Sequence, residues 1–250
     1  MAKAWHLVRR PQGLPTIDDF ALHALPDLPL ETDQLRVRNH WLSVDPYMRG
    51  RMNDAKSYAA SFQLDQPMTG GAIGEVVESA MDGFAPGDII LHMGGWRDGG
   101  IIGLEMTPTK LPADLLAAGM PPQTFLHNMG LTGGTAWIGL LRIAAAKPGD
   151  TVFVSAAAGA VGSAVVQIAK AREMTVIGSA GGAENAPGSR IWEPMPLWIT
   201  RRARLSPRLP KRWTASAKAA STSISTMSGE IISTRPSRSP MISPALPSAA

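Results

Sequence analysis

The stretch DTVFVSAAAGAVGSAVVQIAKAREMTVIGSAG, residues 150–181, constrains the fold more strongly than any other part of the chain. Residues 151–155 predict a short strand rich in β-branched side chains, and residues 156–162 form an A-x-x-G-x-x-G turn. Residues 163–172 continue as a helix with one apolar face, and residues 175–178 predict a second strand. This order is typical of an α/β unit in which the N-terminus of the helix binds the pyrophosphate of a dinucleotide.

The two glycines of the turn have separate roles in the predicted nucleotide site. Gly159 lets the backbone approach phosphate groups, and Gly162 permits close packing of the helix against the strand. A glycine triad alone also fits a tight Ala/Gly junction without a ligand, but the complete strand–turn–helix–strand order favours the nucleotide site. The predicted cofactor-binding residues are Gly159, Ala160, Val161, Gly162, Ser179 and Gly181.

The residues that follow the second strand predict NADP rather than NAD as the cofactor. NAD-preferring folds usually place an acid at the end of this strand, where it binds the ribose hydroxyls. Residues 178–182 read GSAGG and contain no acid, so Ser179 and the open backbone tolerate the additional phosphate of NADP. The nearest acid, Glu184, lies just beyond the turn.

The part of the chain before this unit has a different pattern. Residues 1–120 contain short apolar runs interrupted by proline and glycine, which is typical of a compact β-rich domain. Candidate strands lie in QLRVRNHWLSVDPYMRG, GGAIGEVVES and FAPGDIILHMGGW. Residues 131–150 predict a helix that is closed by Pro148 and Gly149.

The net charge is distributed unevenly along the chain. The whole chain carries +4, but residues 185–250 hold ten Lys or Arg against two acids, whereas residues 1–184 carry a net −4. The basic segment also contains nine prolines and twelve serines and no Val, Phe, Tyr or Asp. Such a composition has little apolar surface to offset the entropy of ordering, and it predicts a disordered tail.

Cysteine and membrane-length segments are both missing from the sequence. The absence of cysteine excludes disulfides and thiolate ligands for a metal. No uninterrupted apolar stretch reaches the roughly 18 residues that a membrane helix needs. The composition therefore predicts a soluble, cytoplasmic protein that does not contact membranes.

Several motifs together resemble those of the zinc-independent medium-chain dehydrogenases/reductases. LSVDPYMRGRM, GGAIGEVVES, FAPGDII, GLTGGTAWIGLL and VSAAAGAVGSAVVQIAK follow one another in the order seen in that family. Within the family, the chain is most similar to the NADP-dependent alkenal, curcumin and prostaglandin/leukotriene reductases. The resemblance covers residues 1–184.

This resemblance implies both a fold and a reaction. The fold is α/β, with a GroES-like β-barrel domain over residues 1–125 followed by the first part of a Rossmann NADP-binding domain over residues 126–184. The reaction is NADPH-dependent reduction of the carbon–carbon double bond in α,β-unsaturated ketones and aldehydes, which are small-molecule substrates. The family also implies a homodimer.

The resemblance further implies a catalytic role for Tyr47. Family members place a tyrosine beside the substrate at this point of the motif VDPYMR, where its phenol can donate a hydrogen bond to a developing enolate oxygen. The alternative, that Tyr47 simply packs below the turn, is equally compatible with the sequence. Arg49 and Arg51 are expected to be surface or interdomain charges. Trp96 could line a pocket, although a buried structural role is more common for a tryptophan.

Zinc catalysis is the usual rival mechanism among medium-chain dehydrogenases. It requires Cys or His ligands at set positions, and this chain has no cysteine. The histidines His6, His23, His40, His92 and His127 show no metal-ligand spacing. No metal site is predicted.

The resemblance ends at Glu184. In the family a lysine that pairs with the 2′-phosphate of NADP follows this glutamate, whereas Asn185 stands here. When the last base of each codon is read with the first two of the next, residues 185–203 can encode CAWVKNLGADAVVDYKAG and residues 221–236 permit DVYFDNVGGDHLDAA. Both resemble the missing family sequence. We therefore interpret residues 185–250 as a disordered tail translated out of frame, after a truncated Rossmann domain whose parallel strands have unpaired edges.

The basic tail has a second interpretation from a different class of function. The stretch RRARLSPRLPKRW, residues 201–213, could contact phosphates through its basic residues and a base through Trp213. The chain would then be a non-catalytic fragment that binds nucleic acid. The out-of-frame interpretation is favoured, and it predicts no nucleic-acid partner.

Overall fold

The computed structural model describes residues 1–57, 59–180, 197–199 and 231–234, and for the last two ranges it describes the backbone of two strands. The chain divides into two compact units, Met1–Leu131 and Thr132–Ala250. The predicted site residue Gly181 and most of the tail that we predict to be disordered, residues 185–250, lie outside the described residues.

The first unit is built from antiparallel β-sheet. A five-stranded sheet has the order β6-β3-β4-β5-β7, and a second sheet pairs β1 with β2. Isolated bridges from Ala4 to Arg97 and from His6 to Pro67 tie the small sheet to the rest of the unit. The strands are β1 Lys3–Leu7, β2 Phe20–Ala24, β3 Gln34–Leu42, β4 Ala72–Ser79, β5 Ile89–His92, β6 Gly99–Gly103 and β7 Thr109–Lys110.

The core of the large sheet lies on one face, as the alternation of side chains along a strand requires. In β3, Leu35 and Val37 are buried, while Arg36 and Arg38 lie on the other face, where both form ion pairs. The buried cluster contains Leu35, Val37, Val76, Met81, Ile90 and Ile102. The prediction of a β-rich domain at the start of the chain is therefore confirmed.

Short helices connect these strands. Helix α1, Tyr47–Arg51, follows β3, and helix α2, Ala113–Ala117, follows β7. Short 3-10 helices cover Ile17–Asp19, Leu104–Met106 and Pro122–Leu126.

The second unit begins with the helix that the sequence predicts over residues 131–150. Helix α3, Leu131–Trp137, continues directly into a π-helical turn, Ile138–Ile143, and the chain leaves helical structure before Pro148. Ala136 and Leu140 are completely buried and pack into the core of this unit. The helix is therefore confirmed, with an end a few residues earlier than the proline.

The strand–turn–helix–strand unit is present as the sequence predicts. Strand β8, Thr151–Val154, lies parallel to β9, Thr175–Ala180, and helix α4, Ala160–Ala171, connects them. Its buried side includes Gly162, Val165, Val166 and Ala169, whose three- and four-residue spacing gives α4 one apolar face, and Ala164 is buried beside them. Together with the antiparallel first unit, this crossover confirms the α/β fold class.

Two short strands extend the sheet on both sides. The backbone of β10, Leu197–Ile199, pairs parallel to β9, and that of β11, Ile231–Thr234, pairs antiparallel to β8. The order is β10-β9-β8-β11. Both edges of the β8–β9 pair thus carry a short strand, which corrects the expectation of unpaired edges.

Candidate functional site

The turn between β8 and α4 presents the N-terminus of a helix without a side-chain cap. Gly159 is the N-cap residue, and the first turn of α4 contains no acidic residue. The first intrahelical bond is donated by the N–H of Ser163 to the carbonyl oxygen of Gly159 at 2.8 Å. The preceding N–H groups, those of Ala160, Val161 and Gly162, point along the helix axis, and they and the helix dipole favour an anion at this end.

The two glycines of the turn meet different surroundings. A Cβ at Gly162 would collide with the carbonyl oxygen of Ala156 and lie 2.9 Å from the Cα of Ala157, so only glycine allows α4 to pack this closely. A Cβ at Gly159 would meet only that same oxygen, at 3.1 Å. Gly162 is buried and Gly159 is exposed. The turn therefore fits a pyrophosphate group, with Gly162 as its packing residue and Gly159 on its open side.

Ala156 holds the turn in an unusual backbone conformation. Its φ is +48°, in the left-handed region that residues with a Cβ rarely adopt. Its carbonyl oxygen accepts a hydrogen bond from the N–H of Gly159 at 2.8 Å. Strained backbone of this kind persists where the surroundings fix it, and it is common at ligand-binding turns.

Ser179 lies next to this turn and is almost completely buried. Only 3% of its surface is exposed, and its carbonyl oxygen accepts a hydrogen bond from the N–H of Ala157 at 2.8 Å. The structure therefore brings Ser179 together with the turn through the backbone. The described part of β9 ends at Ala180 and contains no acidic side chain.

Tyr47 is the first residue of α1, directly after Pro46. Its side chain is half-buried and packs against a buried cluster formed by Leu7, Met48, Met52, Phe62 and Met68. Trp96 packs against the same cluster, and its Nε1–H donates to the Sδ of Met48 at 3.3 Å. Tyr47 thus packs on the core of the first unit and keeps part of its surface exposed. Its environment is compatible with both roles that the sequence left open.

Arginines hold α1 in place, which the sequence did not predict. Arg49 donates from its Nη2 to the carbonyl oxygen of Gly13 at 2.6 Å, and from its Nη1 to the Oδ1 of Asn53 at 2.7 Å. Arg51 donates to the carbonyl oxygen of Ala60 at 2.8 Å and lies 4.2 Å from the ring centre of Phe62. Both side chains are at the surface of the first unit, and in addition they bind neighbouring loops to the helix that carries Tyr47.

A third arginine contacts the end of α1 from the N-terminal segment. Arg10 donates from its Nη1 to the carbonyl oxygen of Met52, the C-cap residue of α1, at 3.0 Å. Sequence reasoning missed these contacts because all but one of the acceptors are backbone carbonyls, which leave no trace in side-chain patterns. The exception is the side chain of Asn53, and its position four residues after Arg49 was the one available signal.

His92 forms a buried polar network in the first unit that the sequence also did not indicate. Its exposed fraction is 1%. The N–H of Gly94 donates to the Nδ1 of His92 at 3.1 Å, so the Nε2 carries the proton and donates to the Oδ1 of Asn39 at 2.9 Å. Burial, and to a smaller extent the charge of Arg97, lowers the pKa of His92 to about 4. His92 is therefore a neutral structural histidine at physiological pH.

The described residues were also compared with the requirements of a metal site and of a membrane helix. Within the ranges that the structure describes, no three His, Asp or Glu side chains lie close enough together to hold a metal ion. No helix in those ranges is both long and apolar enough to cross a membrane.

Comparison with known proteins places this geometry in a family. Residues 3–107 match the family described as the N-terminal domain of oxidoreductase. The chain is 38% identical over 185 residues to the NADPH-dependent curcumin reductase of Escherichia coli (strain K12), covering 73% of this chain and 51% of that protein. It is also 38% identical over 186 residues to prostaglandin reductase 1 of Rattus norvegicus, covering 73% of this chain and 53% of that protein.

A solved structure gives the same result. The crystal structure of CurA in complex with NADPH from Vibrio vulnificus superposes with a TM-score of 0.64 at 38% identity, covering 75% of this chain and 54% of that chain. An antiparallel β unit and a βαβ unit with a glycine turn are the two parts of a dinucleotide-binding fold of this type. Residues 3–107 belong to the oxidoreductase N-terminal domain family, and over about 73% of its length the chain is similar to reductases named for NADP-dependent alkenal, curcumin and prostaglandin reduction.

The similarity covers only part of each relative. The chain spans about half the length of the relatives that it matches, 51% of the curcumin reductase and 53% of the prostaglandin reductase.

Proposed function

We propose that this chain derives from an NADPH-dependent reductase that acts on the carbon–carbon double bond of α,β-unsaturated ketones and aldehydes. The observation that carries the proposal is the uncapped N-terminus of α4 beside the buried Gly162, a backbone cradle that suits a pyrophosphate. The proposal includes a cytoplasmic location, which the composition implies. It also includes a homodimer, which the family resemblance implies.

The choice of NADPH over NADH rests on the end of β9. A carboxylate there would bind the ribose hydroxyls of NAD and repel the 2′-phosphate of NADP. Ser179 and Ala180 close the described part of the strand, and the sequence continues GGA before the first acid at Glu184. NADP-dependent relatives such as the curcumin reductase support this choice.

In this proposal the protein binds and orients, while NADPH supplies the hydride when bound. The backbone N–H groups of Ala160, Val161 and Gly162 hold the pyrophosphate, and Gly159 leaves room beside them. The phenol of Tyr47 donates a hydrogen bond to the carbonyl oxygen of the substrate and stabilises the negative charge that develops there. Hydride addition to the β-carbon would leave an enolate, which takes a proton at its α-carbon; solvent water can supply that proton, so no acid with a strongly shifted pKa is needed. Alignment of the two partners supplies much of the rate.

We also propose that the chain itself is impaired. The out-of-frame interpretation of residues 185–250 replaces the family's phosphate-pairing lysine with Asn185 and removes the later strands of the nucleotide-binding domain. A hydride donor that is not held at about 3–3.5 Å from its acceptor loses much of the roughly 7–11 kcal/mol that positioning can contribute.

The test compares the chain with a version in which the reading frame is restored after Glu184. NADPH oxidation is followed at 340 nm with but-3-en-2-one as the substrate. We expect turnover by the restored protein, a preference for NADPH over NADH, and no turnover by the 250-residue chain. Equal efficiency with NADH would contradict the cofactor assignment, and equal turnover by both proteins would contradict the out-of-frame interpretation.

The same preparations test the tail. If residues 185–250 are out of frame and bind nothing, deleting residues 190–250 leaves binding of fluorescein-labelled DNA at its background value. Salt-sensitive DNA binding that disappears with the deletion would instead support the nucleic-acid interpretation.

Tyr47→Phe in the frame-restored protein tests the proposed role of the phenol. The substitution keeps the ring that packs on the Met48 and Phe62 cluster and removes only the hydroxyl. We expect kcat to fall about tenfold, which corresponds to one hydrogen bond of about 1.4 kcal/mol, with KM for NADPH unchanged. An unchanged kcat would assign Tyr47 a packing role only.

A further inference from the structure

A groove on the first unit is lined by several charged side chains. Its volume is about 540 Å³, and it lies between β6 and the segment that follows β2. Three arginines line it: Arg36 and Arg38 on β3, and Arg97 just before β6. Two carboxylates, Asp27 and Asp98, also line the groove.

Two of these arginines are already paired with carboxylates. Arg36 binds the Oδ1 of Asp27 through Nη1 and the Oε2 of Glu78 through Nε, each at 3.0 Å. Arg38 binds the Oε2 of Glu75 at 2.8 Å. Their charges are therefore largely balanced within the protein.

Arg97 is different. In the described part of the chain no carboxylate lies within 4.0 Å of its guanidinium, and its one side-chain hydrogen bond, from Nε to the carbonyl oxygen of Gly95, is long at 3.4 Å. The side chain is half-buried, and this burial lowers the pKa of the guanidinium. The carboxylate of Asp98, its neighbour in sequence, instead accepts the backbone N–H of Lys3 at 2.7 Å.

The partial burial of Arg97 strengthens any ion pair that it forms. Arg97 also contributes to a second groove of about 350 Å³, to which Trp5, Trp41 and Trp96 belong as well. Half-burial of its side chain lowers the local dielectric constant, which makes a charge-assisted hydrogen bond stronger than at an open surface. A desolvated guanidinium without a partner is unfavourable until an anion joins it.

We propose that Arg97 forms the centre of a binding site for a small oxyanion, a carboxylate or a phosphate group, in the groove that it shares with Arg36 and Arg38. The side-chain hydrogen bond of Arg97 within the described residues uses only Nε. A planar guanidinium can donate from its two terminal amino groups to the two oxygens of one such anion. The site belongs to the first unit and adds a ligand that the proposed reductase function does not require.

The test titrates the full chain with sodium phosphate and, separately, with sodium succinate, at an ionic strength kept constant with sodium chloride, and measures heat by calorimetry. We expect saturable binding of at least one of the two anions, and the tighter of the two identifies the class of ligand. Arg97→Gln should weaken binding at least tenfold. Absence of saturable binding of either anion by the unmodified chain would overturn the proposal.

Arg38→Gln is the matched control. It removes the same charge from the same groove, but at a residue whose side chain is 63% exposed and paired with Glu75. We expect it to weaken binding less than threefold. An equal loss in both variants would show that the groove attracts anions only through its overall charge, and this would contradict a site centred on Arg97.

A second measurement uses the unmodified chain, so its result does not depend on whether a variant folds. Phenylglyoxal modifies accessible arginines, and peptide mapping by mass spectrometry reports the rate at each. We expect the anion that binds in the titration to slow modification of Arg97 at least fivefold and to leave modification of the exposed Arg38 unchanged, relative to chloride at the same ionic strength. Equal rates at Arg97 with and without that anion would overturn the proposal.

Discussion

Replacement of Gly162 by alanine is expected to destabilise the second unit by about 2–3 kcal/mol, the cost of forcing an extra methyl group into a packed interior. The added Cβ would collide with the carbonyl oxygen of Ala156 and press on the Cα of Ala157 at 2.9 Å. These are backbone atoms, and Ala157 is itself held by its hydrogen bond to Ser179, so they cannot move aside without disturbing the β8–β9 pair. Hydrogen exchange of the amides of β8 and α4 measures the effect separately from the first unit.

Gly159→Ala is the control for this prediction. Its Cβ would meet only the oxygen of Ala156 at 3.1 Å, the site is exposed, and its φ of −78° is accessible to alanine. We expect the free energy of opening to change by less than about 1 kcal/mol, because alanine is a weaker N-cap than glycine but causes no overlap with the backbone. Protection factors that fall equally in both variants would show that the close approach of α4 at Gly162 is unimportant.

The free energy of unfolding of the first unit is expected to fall by about 3 kcal/mol between pH 6.5 and pH 4 because of His92 alone. Its pKa is about 4 in the folded protein, against 6.5 in the unfolded chain. Below pH 6.5 the unfolded state binds a proton that the folded state does not, so acid favours unfolding. This contribution is complete above pH 6.5, is lost as the pH falls toward 4, and does not change further below that value. The shift of about 2.5 units corresponds to the stated energy.

The measurement is the difference between the unmodified chain and His92→Gln, in urea unfolding followed by circular dichroism at several pH values. Glutamine keeps an amide that can bond Asn39 but does not titrate, so its stability should depend less steeply on pH. Carboxylates titrate in both proteins and cancel in the difference. His23→Gln, at an exposed histidine, should leave the pH dependence unchanged. Parallel curves for the unmodified chain and His92→Gln would contradict the neutral, buried state.

Sequence patterns were sufficient where a feature depends on residues that are close together in the chain. The β8–α4–β9 unit follows from a glycine turn between two β-branched runs, and the structure places each element within a few residues of its prediction. Tyr47 was singled out by the motif in which it lies, and its role stays a prediction. The turn and helix N-terminus to which the nucleotide site is assigned were likewise predicted from local sequence, although Gly181 lies outside the described residues.

Features that depend on distant partners could not be predicted in this way. His92 is neutral because it meets Asn39, 53 positions away in the sequence. Among the described residues Arg97 has no ion pair, and the carboxylate next to it in sequence, Asp98, instead accepts from the backbone of Lys3, 95 positions away. The π-helical turn at residues 138–143 has the same apolar spacing as an α-helix, so periodicity alone does not distinguish them. The protonation of His92 and the contacts of Arg97 depend on residues that only the tertiary fold brings near, and the type of a side chain alone does not predict them.

The arginine contacts to α1 have a consequence for how the position of Tyr47 responds to acid. Arg10, Arg49 and Arg51 bind carbonyl oxygens and one amide oxygen, and none of these acceptors gains or loses a proton between about pH 3 and pH 11. Contacts to carboxylates would weaken as the carboxylates became protonated, whereas these acceptors stay the same. The contacts therefore do not add to the loss of stability that His92 causes below pH 6.5. A loss of Tyr47 positioning in acid would accordingly follow the unfolding of the first unit and not precede it.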